Sequence, residues 1–466
     1  MSFKNNFAWG AATAAYQIEG ATELDGRGPS IWDTYCDQPG GTRDGFSGSV
    51  ACDHYHRYAE DVAMMQDIGL KAYRFSISWS RVIPNGTGAI NAKGLDFYDR
   101  LVDELLSKNI CPYATLFHWD LPQALHLRGG WLNRDSADWF GEYTRIVAEK
   151  LSDRVKHWFT LNEPQCFIGH GLLTGIKAPG LKMGLDDVLL ATHHSLLAHG
   201  SAVQALRSVD PDSKIGAAPT GSVAFPNSES KADIKAAFDA TFSVPGEAEL
   251  NPEGSNSWMV SPEPSWNIAW YTDPIFFGHY PEEGLLAFGK NVPAFTDADM
   301  DLISQPLDFC GMNLYNGWKV EASKRGNRWE EVPMPQGAPL TAFKWPVTPE
   351  ILYWGPRFFH ERYGKPIYIT ENGMSANDWI ESDGKVRDFQ RLDFVKRYLH
   401  HYKRAATEGI PVDGYFLWSL LDNFEWAEGY RERFGIIHVD YATQKRTLKE
   451  SAKWYSGVIA SNGADL

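Results

Sequence analysis

Short runs of apolar residues alternate along the chain with longer segments in which apolar residues recur every three or four positions. The short runs are typical of buried strands and the longer segments of helices packed on one face. Eight runs are predicted strands: Phe7–Thr13, Ala72–Ser78, Pro112–His118, His157–Asn162, Lys214–Ala218, Asp308–Leu314, Pro366–Glu371 and Asp413–Ser419. The clearest predicted helices are Gly94–Lys108, Arg134–Leu151, Leu185–Arg207 and Val386–Glu408.

The alternation of strands and helices predicts right-handed βαβ units and a parallel sheet. Eight strands fit a closed barrel better than an open doubly wound sheet, so we expect an α/β fold with a single (β/α)8 TIM barrel. A dinucleotide-binding sheet would carry Gly-x-Gly-x-x-Gly directly after its first strand, where this chain has AAYQIE at 14–19.

Three long segments between predicted strands are rich in Gly, Pro and Trp: Asp25–Cys52, Gly221–Pro274 and Glu321–Pro349. Because gaps of this size are uncommon unless they are functional, we expect long βα loops that form the active-site mouth of the barrel. Dividing the chain at either of the last two gaps would break the strand count. We therefore interpret residues 1–466 as one catalytic domain.

The composition narrows the possible classes of function. Lys and Arg number 44 against 59 Asp and Glu, a formal net charge of −15, which argues against binding to nucleic acid or to an acidic membrane surface. No stretch approaches the roughly 18 apolar residues that a membrane span needs, and the first residues contain no apolar signal region. The five cysteines include no Cys-x-x-Cys pair, so we expect reduced thiols and a cytoplasmic location.

Aromatic residues make up 14% of the chain, including 18 Trp, which fits either a large core or a cleft whose flat side chains suit sugar rings. The paired histidines 193–194 and 400–401 point to different faces of a helix, and no Glu-x-x-His or Cys partner completes a metal site. We therefore predict no metal and no other cofactor.

Polar or aromatic residues follow several predicted strands at the point where each strand ends. In a barrel these ends converge on one face, where the active site lies. The residues concerned are Gln17, His118, Asn162, Glu163, Asn313, Tyr315, Glu371 and Trp418. Any one of them could be a turn residue or could simply face water, but together they predict one site at the top of the barrel.

Two carboxylates, Glu163 and Glu371, carry the chemical interpretation. They follow the predicted fourth and seventh strands, so they should face each other across the barrel mouth. Glycosidic hydrolysis needs such a pair, with one group protonating the leaving oxygen and the other attacking or stabilising the oxocarbenium-like centre. Arg74 is a charge in an otherwise apolar strand and should have a carboxylate partner, whether structural or catalytic.

Five segments resemble, in order along the chain, the signatures of glycoside hydrolase family one. They are FAWGAATAAYQIEG at 7–20, FHWDLP at 117–122, TLNEP at 160–164, ITENG at 369–373 and WSLLDNFEW at 418–426. The resemblance covers nearly the whole chain. It implies a (β/α)8 barrel and hydrolysis of β-glycosides with retention of the anomeric configuration, which requires carboxyl groups about 5–5.5 Å apart.

The resemblance also implies a role for each matching residue. Glu371 would be the nucleophile and Glu163 the acid/base, which must hold a proton near neutrality. The glycone hydroxyls would be bound by Gln17, His118, Asn162, Glu425 and Trp426, with Trp418 beneath the sugar ring. Tyr315 and Arg74 would keep Glu371 ionised, and Asn313 would support the acid/base side.

The expected substrates are small-molecule β-glycosides, namely cellobiose, short cello-oligosaccharides and aryl or alkyl β-glucosides. A β-galactosidase or β-fucosidase remains an alternative, because O4 epimers can share Gln17 and Glu425. The phospho-sugar branch of the family replaces the glutamate found here as Glu425, whose charge would repel a 6-phosphate. A catalytically silent sugar-binding protein would require a lost carboxylate, and whether the chain is a monomer or a homo-oligomer stays open.

One departure from the family pattern concerns the leaving-group side. Members often have Trp after Asn-Glu-Pro, whereas this chain has Gln165 and Cys166. We expect the segment 165–174, with Leu172 and Leu173, to form a mostly apolar wall beside the mouth. Such a wall would favour hydrophobic aglycones and leave free glucose with few hydrogen-bond partners.

Overall fold

Eight short strands form a closed parallel barrel in the computed structural model, which describes residues 2–244, 265–324 and 328–466. The strands are β1 (Ala8–Ala12), β2 (Ala72–Ser76), β3 (Cys111–Phe117), β4 (His157–Asn162), β5 (Lys214–Ala218), β6 (Phe309–Asn313), β7 (Ile367–Asn372) and β8 (Val412–Trp418). Each strand pairs in parallel with its neighbours in the chain, and β1 closes the ring against β8. The predicted (β/α)8 fold is confirmed, and every predicted strand overlaps an observed one.

Helices surround the barrel. They span Ala15–Ile18, Ile31–Cys36, His54–Ile68, Trp79–Val82, Ala92–Ser107, Gln123–His126, Ser136–Leu151, Leu185–Val209, Lys231–Thr241, Ala269–Phe277, Glu282–Phe288, Asp297–Ile303, Ile351–Tyr363, Phe389–Thr407 and Glu450–Ala460, with a π-helical segment at Gln165–Leu173 and 3₁₀ turns at Arg43–Gly45, Gly130–Leu132, Gly289–Asn291 and Trp426–Glu428. Within the part of the chain just defined, no helix combines the length and apolar character that crossing a bilayer requires.

The helix Ala92–Ser107 illustrates why the four predicted helices form where they do. Phe97, Leu101 and Leu105 recur at four-residue spacing and are buried, so one stripe of the helix packs on the barrel. Polar residues occupy the opposite face, as expected for a helix at the surface of a globular protein. The helix ends one residue before its predicted limit, at Ser107.

The three long segments between strands contain more regular structure than the sequence indicated. Val223–Pro226 pairs with Gly317–Glu321, which also pairs with Glu330–Glu331, so parts of two gaps form a small sheet above the barrel. The remaining short strands, Ile437–Asp440 and Lys445–Leu448, form an antiparallel hairpin. Residues 245–264 and 325–327 of the predicted loops lie outside the described residues.

Candidate active site

A cavity of about 360 Å³ opens where the strands of the barrel end. Seven of the residues predicted for the site line it: His118, Glu163, Tyr315, Glu371, Trp418, Glu425 and Trp426. The other four, Gln17, Arg74, Asn162 and Asn313, are fully buried directly behind them. The structure therefore brings all eleven predicted residues to one place.

Glu163 follows β4 directly and is held in an uncommon backbone conformation. Its φ of 48° lies in the left-handed region, and its backbone N–H donates to the Ala218 carbonyl of β5 at 2.9 Å. Backbone strain of this kind persists where the surrounding structure over-determines it, often at functional sites. Asn313 Nδ2 donates to Glu163 Oε1 at 2.8 Å. The carboxyl group is thus aimed into the cavity by both backbone and side-chain contacts.

Glu371 lies within β7 and receives two strong hydrogen bonds. Arg74 donates from Nη1 to Oε1 at 2.6 Å, and the Tyr315 hydroxyl donates to Oε2 at 2.7 Å. Arg74 is 1% exposed and Glu371 3% exposed, so the ion pair is shielded from water. This confirms a carboxylate partner for Arg74. Both contacts favour the charged form of Glu371 and fix the orientation of its carboxylate.

Asn162 connects the surroundings of the two glutamates. Its Oδ1 accepts from Arg74 Nη2 at 2.5 Å and from Asn313 Nδ2 at 3.0 Å, while its Nδ2 lies 3.0 Å from His118 Nε2. Thr370 in turn donates to Asn313 Oδ1 at 2.6 Å. The arginine and both amides are therefore locked together, so neither glutamate can turn without disturbing the other's partners.

The electrostatics of the two glutamates are those of an interacting pair. Burial raises the pKa of Glu371, the Glu163 carboxyl raises it further, and Arg74 and Tyr315 act in the opposite direction. Two carboxyl groups in one buried site tend to hold one proton between them. Arg74 and Tyr315 favour the charged form of Glu371, whereas burial and the Glu163 carboxyl oppose it, and the net effect raises the pKa of Glu371 to about 7.

Glu425 is held at another side of the cavity by Gln17. Gln17 Nε2 donates to Glu425 Oε2 at 3.2 Å and to the Phe424 carbonyl at 2.9 Å. Burial raises the pKa of Glu425 to about 8. Near neutral pH this favours the neutral form of Glu425, which weakens the expected repulsion of a 6-phosphate. Gln17 Oε1 and His118 Nδ1 have no hydrogen-bond partner among the described atoms and remain free for a ligand.

Aromatic side chains form the walls of the cavity. Trp426 packs against Trp119 with ring centroids 4.6 Å apart, and His118 stacks at 5.8 Å from Trp418. Trp119 and Trp426 both have positive φ, at 77° and 50°. Flat rings in fixed orientations are suited to the apolar faces of sugars.

Sequence reasoning missed several lining residues that come from loops. Phe343 and Trp345 come from the segment after β6, and Trp266 and Ser222 from the segment after β5. These residues agree with the predicted role of those two long segments at the mouth. The sequence indicates Trp119 only through its position next to His118. Loop residues of this kind have no hydrophobic periodicity that would identify them.

The predicted apolar wall at 165–174 is wrong in its composition. Leu172 and Leu173 pack against the hydrophobic core beneath the segment, because their side chains point away from the cavity. The wall is instead made by four residues of mixed character: Cys166, His170, Ile176 and Lys177. Gln165 is fully buried, where its Nε2 donates to the Asn267 carbonyl at 3.3 Å.

A buried ion network supports the site from behind. Lys449 Nζ donates to Asp378 at 2.6 Å and to Asp422 at 2.7 Å. Asp378 belongs to the loop after β7 and Asp422 to the loop after β8 that carries Glu425. Arg433 donates to the second oxygen of Asp422 at 2.7 Å. The network thus joins the segments that follow Glu371 and precede Glu425.

Known proteins resemble the chain over its whole length. The family model for glycosyl hydrolase family 1 matches residues 1–254 and 253–464. A 1,4-beta-D-glucan glucohydrolase of Thermotoga neapolitana is 45% identical over 466 residues, which cover 99% of each chain. A beta-glucosidase A of Acetivibrio thermocellus is 45% identical over 471 residues, which also cover 99% of each chain. The structure of a family 1 β-glucosidase from Thermotoga maritima in complex with isofagomine lactam superposes with a TM-score of 0.87 at 43% identity, covering 99% of both chains.

Proposed function

Because the chain belongs to glycosyl hydrolase family 1 and is a β-glucosidase that hydrolyses β-glucosides, we propose that it acts by double displacement with Glu371 as nucleophile and Glu163 as acid/base. The observation that carries this assignment is the asymmetry between the two glutamates. Glu371 is paired with the cationic Arg74 and with Tyr315, both of which stabilise a carboxylate, whereas Glu163 is contacted by neutral groups, the Asn313 amide and the Cys166 thiol.

In the first step, the charged Glu371 oxygen attacks the anomeric carbon while Glu163 gives its proton to the glycosidic oxygen. The bond to the leaving alcohol breaks and a glycosyl ester of Glu371 forms. The ester no longer carries the negative charge that repelled charge on Glu163. Glu163 is therefore left as a carboxylate able to act as a base.

In the second step, Glu163 takes a proton from a water molecule that attacks the same anomeric carbon. The ester bond breaks, Glu371 returns as a carboxylate beside Arg74, and the sugar leaves with its original configuration. This chemistry requires the two carboxyl groups to lie about 5–5.5 Å apart, which leaves no room for a water molecule between nucleophile and substrate.

The proposed substrates are cellobiose, short cello-oligosaccharides and aryl or alkyl β-glucosides. Gln17 and Glu425 together offer an acceptor and donors for ring hydroxyls, supported by the free Gln17 Oε1 and His118 Nδ1. Asn162 and Trp426 are the further proposed contacts, with Trp418 under the ring. Galactosides and fucosides remain alternative glycones for the same residues.

The test is a comparison of kcat/KM for the nitrophenyl β-glycosides of glucose, galactose, fucose and 6-phosphoglucose, with cellobiose beside them. We expect the glucoside and cellobiose to be turned over, with β-glucose as the first product by NMR. α-Glucose as first product would refute double displacement. A galactoside or fucoside turned over faster than the glucoside would replace glucose as the main glycone.

We propose one catalytic domain for residues 1–466 that acts on small-molecule glycosides, without nucleic-acid or membrane partners, in the cytoplasm. The net charge of −15 supports the exclusion of nucleic acid. The five cysteines are all free, which fits a reducing compartment.

A further inference from the structure

Lys177 is a cation in the wall of the active-site cavity that the sequence did not single out. It is the only lysine or arginine that lines the cavity as far as the chain is described. Its ammonium group lies 4.7 Å from the centroid of the Trp119 ring, and the residue is half-buried. Across residues 2–244, 265–324 and 328–466, the ammonium makes neither an ion pair nor a hydrogen bond.

The position of Lys177 points to the leaving-group side of the cavity. Its backbone N–H donates to the His170 carbonyl at 3.2 Å, so it belongs to the same wall as Cys166 and His170. This wall follows Glu163, the residue proposed to protonate the leaving oxygen. The Cys166 backbone N–H donates to the Glu163 carbonyl at 2.9 Å, so a leaving group protonated by Glu163 would lie beside this wall.

The same wall carries an aromatic platform. His170 stacks on Trp266 with ring centroids 5.0 Å apart and planes inclined by 22°. The stacked rings offer a flat surface to the apolar face of a sugar. The Lys177 ammonium beside them can donate three hydrogen bonds to the oxygen atoms around the edge of the sugar.

A bound leaving group displaces water from the Lys177 ammonium. If the leaving group is apolar, the ammonium loses water without gaining an acceptor, which is costly for a charged group. If it is a sugar, hydroxyl and ring oxygens can replace the lost water. We infer that Lys177 selects leaving groups rich in oxygen, specifically a second sugar residue, over apolar ones. This inference rests on the proposed function.

The experiment compares cellobiose and nitrophenyl β-glucoside in Lys177→Met, Lys177→Arg and the wild type. Lys177→Met keeps the length of the side chain and removes its charge, so we expect kcat/KM for cellobiose to fall about tenfold or more, the scale of a charged hydrogen bond. Lys177 also lowers the pKa of Glu425, so loss of its charge acts on both substrates through that glutamate. The readout is therefore the ratio of kcat/KM for cellobiose to kcat/KM for nitrophenyl β-glucoside, which should fall about tenfold or more in Lys177→Met and stay within about twofold in Lys177→Arg. Lys182→Met is the matched control, because Lys182 is exposed on the same stretch outside the cavity lining.

A second measurement isolates the leaving-group side. Enzyme trapped as a 2-fluoroglucosyl ester regains activity by transfer to water or, faster, to an added sugar acceptor. Lys177→Met should lose the acceleration by an added alkyl glucoside and keep the rate in water. An equal loss on both substrates, or unchanged cellobiose hydrolysis, would overturn the role of Lys177. A wild type that neither hydrolyses β-glucosides nor forms the ester would instead overturn the proposed function.

Discussion

The hydrogen bond from Tyr315 to Glu371 gives a quantitative prediction. Tyr315→Phe removes only the hydroxyl that donates to Glu371 Oε2 at 2.7 Å. The hydroxyl lowers the pKa of Glu371, against the raising effects of burial and of Glu163. Without it, the pKa of Glu371 must rise, so a larger fraction of the nucleophile is protonated at any pH on the acid side.

A hydrogen bond to a charged group contributes about 1.5–3 kcal/mol. At 1.36 kcal/mol for each tenfold change, the acid limb of kcat/KM should move to higher pH by about one to two pH units. At a pH on that limb, kcat/KM for nitrophenyl β-glucoside should fall by about ten- to a hundredfold. The assay is the pH profile of kcat/KM, which reports ionisations of the free enzyme.

Tyr455→Phe is the matched control. Tyr455 is also buried, and its hydroxyl donates to the Gly10 carbonyl at 2.9 Å, away from Glu371. This variant should leave the acid limb unchanged. An acid limb of Tyr315→Phe that coincides with that of the wild type would show that the hydroxyl does not stabilise the charged form of Glu371.

Three further predictions concern the catalytic pair, the glycone contact and the buried ion network. Glu371→Gly should abolish hydrolysis and regain activity with added azide as a replacement nucleophile. Glu163→Ala should spare the first step for good leaving groups, because they need little protonation. If the two variants respond identically to azide and to leaving-group pKa, the assignment of nucleophile and acid/base is wrong. At pH 9, where Glu425 is charged, Glu425→Ser should lower kcat/KM for the glucoside by about ten- to a hundredfold, the scale of a hydrogen bond to a charged group. Glu425 gains charge as the pH rises through about 8. The wild-type ratio of 6-phosphoglucoside turnover to glucoside turnover should therefore fall over that range. A constant ratio would show that the charge of Glu425 does not repel the 6-phosphate. Lys449→Met leaves Asp422 with only part of its buried charge compensated and should cost about 3–5 kcal/mol of the free energy of unfolding; a urea titration showing a loss below about 1 kcal/mol would contradict this.

The barrel could be predicted from the sequence because its strands are short apolar runs with a regular order. The predicted and observed β4, His157–Asn162, coincide, since an apolar run there is bounded by polar residues on both sides. The positions of Glu163 and Glu371 were predictable for the same reason, because both residues are tied to strand ends whose positions follow from the fold.

The leaving-group side could not be predicted because its residues depend on loop conformation. Leu173 and Lys177 lie four residues apart, yet one packs on the core and the other reaches the cavity. The π-helical segment Gln165–Leu173 sets the direction in which its side chains point, and the apolar composition of the segment does not give that direction. The pKa of Glu425 is likewise set by burial, which the sequence alone does not give.

In the proposed double displacement, Glu371 becomes covalently attached to the glycone. The most direct test treats the enzyme with a 2-deoxy-2-fluoro-β-glucoside that carries a good leaving group, then digests it and locates the added mass by mass spectrometry. We expect one fluoroglucosyl group on Glu371, lost again when a sugar acceptor is added. A label on Glu163 or on another residue, or continued hydrolysis with no covalent label, would contradict this role of Glu371.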